Sequence, residues 1–289
     1  MRKLFASLTV AGAAFSGAPA AIAAGLGQPV EWQMNLQQSA SPVMTFITSF
    51  HNGLLILTTI ICLFVLGLLM WVCVKFNAKA NPVPSRTTHN TLVEVVWTVV
   101  PILILIGIAI PSFRLLYFQR DFPAAEMTVK AIGNQWFWSY EYPEHGVSFD
   151  QYLKARDELK DGEIYLLATD TEVVVPVNKI VRVIVTANDV LHAWTIPSFG
   201  SKIDAVPGRL NETWFKAEIE GIFHGQCSEL CGKDHAYMPI AVRVVSEDEY
   251  KAWLEKAKTA GIEEAQQHLA SILKTKGKLA LGAAGAPAN

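Results

Sequence analysis

Between Gly225 and Pro239 the sequence reads G-Q-C-S-E-L-C-G-K-D-H-A-Y-M-P. Two thiols (Cys227, Cys231), an imidazole (His235), a thioether (Met238) and a carboxylate (Glu229) fall within twelve positions. Thiolate and thioether are soft donors, which favour copper or zinc over magnesium or calcium. The spacing Cys-x3-Cys-x3-His-x2-Met lets one tight loop wrap a metal, and His192, in L-H-A-W-T-I-P, is the leading candidate for a donor from elsewhere.

Simpler chemistries compete for these residues. A disulfide in an oxidising compartment would use both thiols but has no need of His and Met beside them. A structural zinc site is closed by Cys and His alone. A one-copper blue site takes two His, one Cys and a weak axial Met, which leaves one thiolate over. Two copper ions bridged by two thiolates would use the whole set.

The chain that must position these donors has 289 residues, 51% of them hydrophobic, with a mean hydropathy of +0.28. That is too apolar for an ordinary soluble protein of this size. The basic start Met1-Arg2-Lys3, a short Ala-rich apolar run and the close Ala20-Ala21-Ile22-Ala23-Ala24 read as a secretory signal peptide over residues 1–24. A mixed lead-in, Gly25 to Pro42, follows. From Val43 the chain is strongly apolar, and Leu54–Val74 carries no charge. About 20 such residues span a bilayer core as a helix. A second apolar run, Val95–Ile110, contains Pro101 and ends at Pro111. Residues 25–120 therefore read as a transmembrane hairpin with helices over about 43–75 and 93–113. The loop between them carries Lys75, Lys79 and Arg86 without an acid, whereas the lead-in carries Glu31 and no cation. By the positive-inside rule the loop faces the cytoplasm and both ends of the mature chain lie outside. Cys62 and Cys73 sit in the apolar run and read as inert thiols. Glu94 stands where the second helix enters the membrane. It is either an acid favoured by the helix dipole or a functional group, since charge at that depth is costly.

After Arg120 the composition becomes that of an aqueous domain, residues 121–262. Short apolar or alternating runs (127–132, 135–142, 164–168, 173–177, 180–186, 191–196, 213–219 and 240–245) imply an all-β sandwich or barrel. The charged insert 150–162 reads as an exposed loop with a helical turn. Ser246-Glu-Asp-Glu249 is a capping box that opens a terminal helix with Tyr250, Trp253, Leu254 and Ala257 on one face. Residues 263–289 are expected to hold the end of that helix and a disordered Gly/Ala-rich tail. His224 reads as a structurally hydrogen-bonded loop histidine, and His89, His145 and His268 have no accompanying donors. No haem-attachment C-x-x-C-H or nucleotide-binding glycine loop occurs, and no nucleic-acid partner is expected. From Asp121 onward there are 24 acids against 17 Lys plus Arg, a net of −7, although the whole chain is only −2. An acidic exported face attracts a basic partner.

His192-Ala-Trp-Thr-Ile-Pro, together with Cys227 to Met238, resembles subunit II of the haem-copper cytochrome c oxidases and its dinuclear copper A centre, over roughly residues 40–260. The resemblance implies a cupredoxin-like Greek-key fold for the domain. It implies two coppers bridged by Cys227 and Cys231, with one imidazole each from His192 and His235. Met238 and the backbone carbonyl of Glu229 would be weak axial ligands. The Glu229 carboxylate would serve a magnesium ion shared with the catalytic subunit I. Asp204 and Arg209 would lie near that boundary. Glu94, in V-E-V-V-W, would stand at the mouth of a proton path, and Trp136, in Q-W-F-W-S-Y-E-Y, would be the electron-entry point. Glu141, Asp170 and Asp189, with Asp150 a further candidate, would dock cytochrome c. The function implied is electron entry into a proton-pumping oxidase of the bacterial inner membrane, with the copper domain on the periplasmic side and oxygen reduced to water in subunit I. Related quinol oxidases generally lack the copper ligands, and nitrous oxide reductase adds a catalytic domain for which this chain has no length.

Overall fold

The computed structural model of the chain describes residues 26–284; the signal peptide expected over 1–24 and the last five residues lie outside that range. Two long helices come first, α1 (Pro42–Lys75) and α2 (Thr91–Arg120). Each starts at a side-chain cap: Ser41 accepts from the amide of Met44, and Asn90 from that of Val93. Both are long and apolar enough to cross a membrane. Helix α2 continues seven residues past the end expected at 113. Pro111 is accommodated inside it, as prolines are in membrane helices, and the indole of Trp214 caps the carbonyl of Gln119 at 3.1 Å.

Ten strands follow: β1 (Met127–Asn134), β2 (Phe137–Tyr142), β3 (Val147–Gln151), β4 (Val173–Pro176), β5 (Ile180–Ala187), β6 (His192–Ile196), β7 (Ser201–Ala205), β8 (Asn211–Lys216), β9 (Gly221–Gln226) and β10 (Pro239–Val245). They form a five-stranded sheet in the order β3-β2-β1-β5-β8, a three-stranded sheet β4-β10-β9 and the ribbon β6-β7. The pairs β1/β5 and β4/β10 are parallel and the others antiparallel. Alternation along β2 turns Trp138, Tyr140 and Tyr142 inward, and β5 turns in Val181, Val183 and Val185. Phe199, Phe215 and Phe223 stack between the sheets. This is a membrane-anchored β-sandwich, as expected.

Three expectations need correction. Residues 164–168 are not a strand but a turn, in which Leu166 has φ 72° and the Ala168 amide bonds back to Ile164. Their apolar side chains fasten the insert rather than extend a sheet. Strands β7 and β9 arise where polar and glycine residues mask the alternation, and β3, Val147–Gln151, alternates cleanly but over only five residues. The single terminal helix is two, α3 (Glu247–Ala260) and α4 (Ile262–Ala284), broken at Gly261. Ala265 and Leu269 of α4 are buried, on a 3–4 spacing that continues through Leu273. Within the insert, the expected helical turn is the 3-10 turn Arg156–Glu158.

The hairpin joins the sandwich through a short set of fixed contacts. The hydroxyl of Ser41 donates to the carbonyl of Phe199 at 2.7 Å, and the Ala40 amide to that of Ser198 at 2.9 Å. Phe46, Phe118 and Trp214 form a chain of ring contacts at 6.1 and 5.8 Å. Strand β6 runs from His192 to the turn Pro197–Phe199 that receives Ser41. At about 3.3 Å per residue, His192 stands about 13 Å further from the helices than Ile196 does.

A candidate dithiolate metal centre

The loop between β9 and β10 carries the donor-rich sequence, and the turns between β1 and β2 and between β5 and β6 close over it. Cys227, Cys231 and Met238 are buried, and His192 is fully so. The sulfurs of Cys227 and Cys231 are 3.8 Å apart and both thiols are free; a disulfide would need about 2.0 Å. Each thiol has an imidazole of its own: His192 Nδ1 is 3.8 Å from Cys227 Sγ, and His235 Nδ1 is 3.4 Å from Cys231 Sγ. Met238 Sδ lies 3.5 Å from Cys231 Sγ, and the Glu229 carbonyl oxygen 3.3 Å from Cys227 Sγ. The ligand atoms of His192, Cys227 and Cys231 all fall within 4.8 Å of one another, close enough to hold a metal. All six residues predicted from the sequence as donors are thus brought to one place.

Backbone geometry sets this arrangement. The loop is held by bonds from the Cys227 amide to the Met238 carbonyl and from the Ser228 amide to that of Ala193. Gly133 on β1 leaves room for the imidazole, because a β-carbon there would come within 2.7 Å of the His192 ring. Gly232 has φ +123° and lies under Trp136, where a side chain would be both strained and crowded.

The carboxylate of Asp189 accepts from His192 Nε2 at 2.8 Å and from the Gln135 amide at 2.6 Å. The other ring nitrogen, Nδ1, faces the thiols, where it can share a proton with Cys227 or, once that proton is gone, offer a lone pair. A ligand histidine is commonly held in this way by a carboxylate. Burial works against ionisation of Asp189, yet the His192 bond and two backbone amides lower its pKa below the ordinary value. Burial also opposes ionisation of Cys227, but hydrogen bonding from His192 and the backbone brings its pKa down to about 7. Burial, and then the charge of Cys227, push Cys231 up. Two thiolates this close repel, so the pair ionises fully only with added positive charge between them.

Trp136 is half-buried in the turn before β2, and its indole Nε1 donates to the carbonyl of Cys231 at 3.2 Å; the Gln135 amide side chain donates to the same oxygen at 2.8 Å. Lys233 Nζ lies 5.9 Å above the Trp136 ring. Asp150 accepts from Ser139 and from the Tyr152 hydroxyl, and Asp170 accepts from the amides of Tyr152 and Thr171. Glu141 pairs with Lys130 at 3.0 Å. These three acids share the outer side of the β2–β3 region, whereas Asp189 is engaged by His192 at the start of β6. Glu94 lies in the first turn of α2, far from the donors in the fold. His224 is on β9 rather than in a loop, with Nδ1 3.1 Å from the Leu167 carbonyl. The roles of Gln135 and Gly133 were not legible in the sequence, since neither is a donor type.

Fold and site together define a membrane-anchored sandwich domain with a buried dithiolate centre. Residues 127–245 match the family of the cytochrome c oxidase subunit II periplasmic domain, and residues 29–115 match its transmembrane domain. The chain is 49% identical over 228 residues to a probable cytochrome c oxidase subunit 2 of Rickettsia bellii (strain RML369-C), covering 78% of this chain and 85% of the relative. It is 47% identical over 251 residues to cytochrome c oxidase subunit 2 of Cereibacter sphaeroides, covering 81% and 83%. Among solved structures, the periplasmic domain of subunit II of cytochrome oxidase of Bradyrhizobium japonicum is 57% identical, covers 47% of this chain and 96% of that one, and has a TM-score of 0.44. The chain belongs to the cytochrome c oxidase subunit II family and is a subunit of that enzyme.

Proposed function

We propose that this chain is the electron-entry subunit: it accepts electrons from cytochrome c on the periplasmic side of the inner membrane and hands them to haem in subunit I. The observation that carries this reading is the pair of free thiols 3.8 Å apart, each with its own imidazole. This donor set fits a pair of copper ions: the Cys227 and Cys231 thiolates and the His192 and His235 imidazoles would hold them, with Met238 and the Glu229 carbonyl as weaker donors. Bound there, the copper pair would supply a delocalised one-electron site. The chain's part is to keep the donors still. Strand β6, the Asp189 carboxylate and the loop's backbone bonds restrain them in orientation.

Trp136 is proposed as the entry point. Its ring meets the surface at one edge and bonds at the other to the backbone of Cys231, a ligand residue. Glu141, Asp150 and Asp170 would orient a basic donor, and the domain's acidic balance would speed its approach. Asp189 contributes charge to that face while it holds His192. Glu94 is assigned to a proton-path entrance and the Glu229 carboxylate to a magnesium ion shared with subunit I. Oxygen reduction to water and proton pumping belong to subunit I, with which this chain and the other oxidase subunits assemble. Residues 1–24 are proposed as a cleaved export signal, 25–120 as the two-pass anchor and 121–262 as the copper domain. Metal analysis and EPR of the purified oxidase test the centre. Two coppers per chain beyond the copper of subunit I, with a mixed-valence signal, are expected, and a mononuclear blue-copper signal would reject the assignment.

A further inference from the structure

The lead-in, residues 26–41, follows a fixed path. At one end the Gly27 carbonyl accepts from the amide of His224, and at the other Ala40 bonds to Ser198. Between them the segment descends beside α1. Ser39 Oγ is 2.7 Å from Thr45 Oγ1, and Asn35 Nδ2 donates to Asn52 Oδ1 at 3.5 Å. Asn52 is ten residues along the helix from Pro42, about 15 Å at 1.5 Å per residue. The tip is closed by a turn in which the Gln33 amide bonds to the Val30 carbonyl, and the Gln33 side chain bonds to Val30 and Leu36.

The depth of that tip follows from the helices. Below the polar pair His51-Asn52, α1 runs from Gly53 to Val74 with no charged side chain and few polar ones, one bilayer core in length. The charge-free run of α2, Val95–Phe113, ends at Arg114. The Phe46–Phe118 contact sets the antiparallel register, so Asn52 lies level with residues near Ser112. Both helices therefore put the outer hydrocarbon boundary at the level of Asn52, where Asn35 is fastened.

At this level the lead-in turns apolar side chains away from the protein. Trp32 is 94% and Met34 98% exposed, with Val30 and Leu36 partly so. Trp32 has φ 61°, a left-handed backbone that bulky residues rarely adopt. The only ionisable group in this stretch is Glu31. An apolar loop tip that gains nothing from its own protein, at a depth where tryptophan is enriched in membrane proteins, has a lipid partner by its chemistry.

We propose that residues 30–36 form an interfacial anchor, which seats Trp32 and Met34 among the headgroups and first methylenes of the outer leaflet. The loop would thereby tie the sandwich to the bilayer at a point separate from the two helices. The inference rests on the spanning helices and is independent of the metal reading.

A photo-crosslinking residue tests it in the assembled oxidase. Trp32→p-benzoylphenylalanine and, separately, Met34→p-benzoylphenylalanine would be irradiated in nanodiscs of phosphatidylethanolamine and phosphatidylglycerol, with Leu230→p-benzoylphenylalanine as an exposed site beyond the bilayer's reach. Mass spectrometry of subunit II should find lipid adducts as the main product at positions 32 and 34 and none at 230. Crosslinks at 32 and 34 that run instead to another oxidase subunit would overturn the proposal in favour of a protein contact. Adduct yields no greater than at 230 would overturn it in favour of a water-exposed loop.

Discussion

The hairpin and the sandwich solve opposite problems. In α1 only Val43 and Met44 are buried, and α2 has no buried residue; large side chains such as Phe64, Met70 and Leu105 are more than half exposed. In the sandwich, Trp138, Trp194 and Trp253 are almost completely enclosed. Helices in lipid satisfy their backbone internally and gain no hydrophobic energy by burying against each other. The sandwich must exclude water to stand at all. The difference explains where precision is found: the site's donors are held by the self-packed domain, while the hairpin fixes only its position, through Ser41, Phe118 and Trp214. The same contrast implies that the two regions fail in different ways when altered.

The largest effect is expected at the sulfurs. Cys227→Ser leaves one thiolate to serve both imidazoles, so metal analysis of the purified oxidase should show fewer coppers per complex than the wild type. Oxidation of cytochrome c should be lost with the helices and the assembly intact. Full activity with the wild-type copper content would show that Cys227 is not needed to hold the metal. The next effect contrasts the regions directly. Trp253→Ala removes a fully buried ring that packs on Tyr142 and Tyr250 and should cost about 3–5 kcal/mol of sandwich stability. Phe64→Ala, on the exposed face of α1, should leave the sandwich's denaturation midpoint in detergent unchanged within about 0.5 kcal/mol. Equal losses from both would mean that the two regions unfold as one unit.

A smaller effect is expected where the domain holds its ligand. Asp189→Asn keeps the size of the side chain but removes the charge that accepts from His192. Such partners are typically worth about 10–100-fold in metal affinity, and copper retention against a chelator should fall by that order. The copper spectrum should shift as well. A rise in the KM for cytochrome c with spectrum and retention unchanged would return Asp189 to a docking role alone.

How much of this was legible in the sequence differs by region for a physical reason. The hairpin was read almost to its ends, because a 20-residue charge-free run has one meaning in a bilayer. Only the extension of α2 to Arg120 was missed, since that depends on Trp214 and on packing. The metal loop was read because its donors lie close together in the chain and are chemically distinctive. Asp189 was noticed only as a charge. Its bond to His192 depends on the bend between β5 and β6, which residue types do not encode. Strand β9, Gly-Ile-Phe-His-Gly-Gln, was missed because Gly225 is there for closeness to Thr195 and carries no apolar signal. The break at Gly261 and the second helix were missed because the Gly/Ala-rich end masks the periodic Ile262, Ala265, Leu269 and Leu273.

The smallest effect tests how the second helix is fastened. The Glu249 carboxylate is buried; it accepts from the Ser246 amide at 2.9 Å, and Lys276 of α4 reaches its other oxygen at 3.1 Å. Burial disfavours the charge, but these two bonds outweigh it and hold the Glu249 pKa below the ordinary value. A carboxyl with a depressed folded-state pKa stabilises in its ionised form. Its contribution is complete above the unfolded-state value of about 4.3 and is lost as pH falls through the lower folded-state value. Glu249→Gln keeps an acceptor for Ser246 but gives up the charge. Wild type should therefore exceed the variant by about 0.5–1 kcal/mol at neutral pH, as for a charge that completes a helix start, and the gap should close below the ordinary glutamate range. Denaturant unfolding of both proteins across that range measures it. A gap that persists unchanged in acid would assign the loss to altered packing around residue 249, and Lys276 would then contribute nothing through charge.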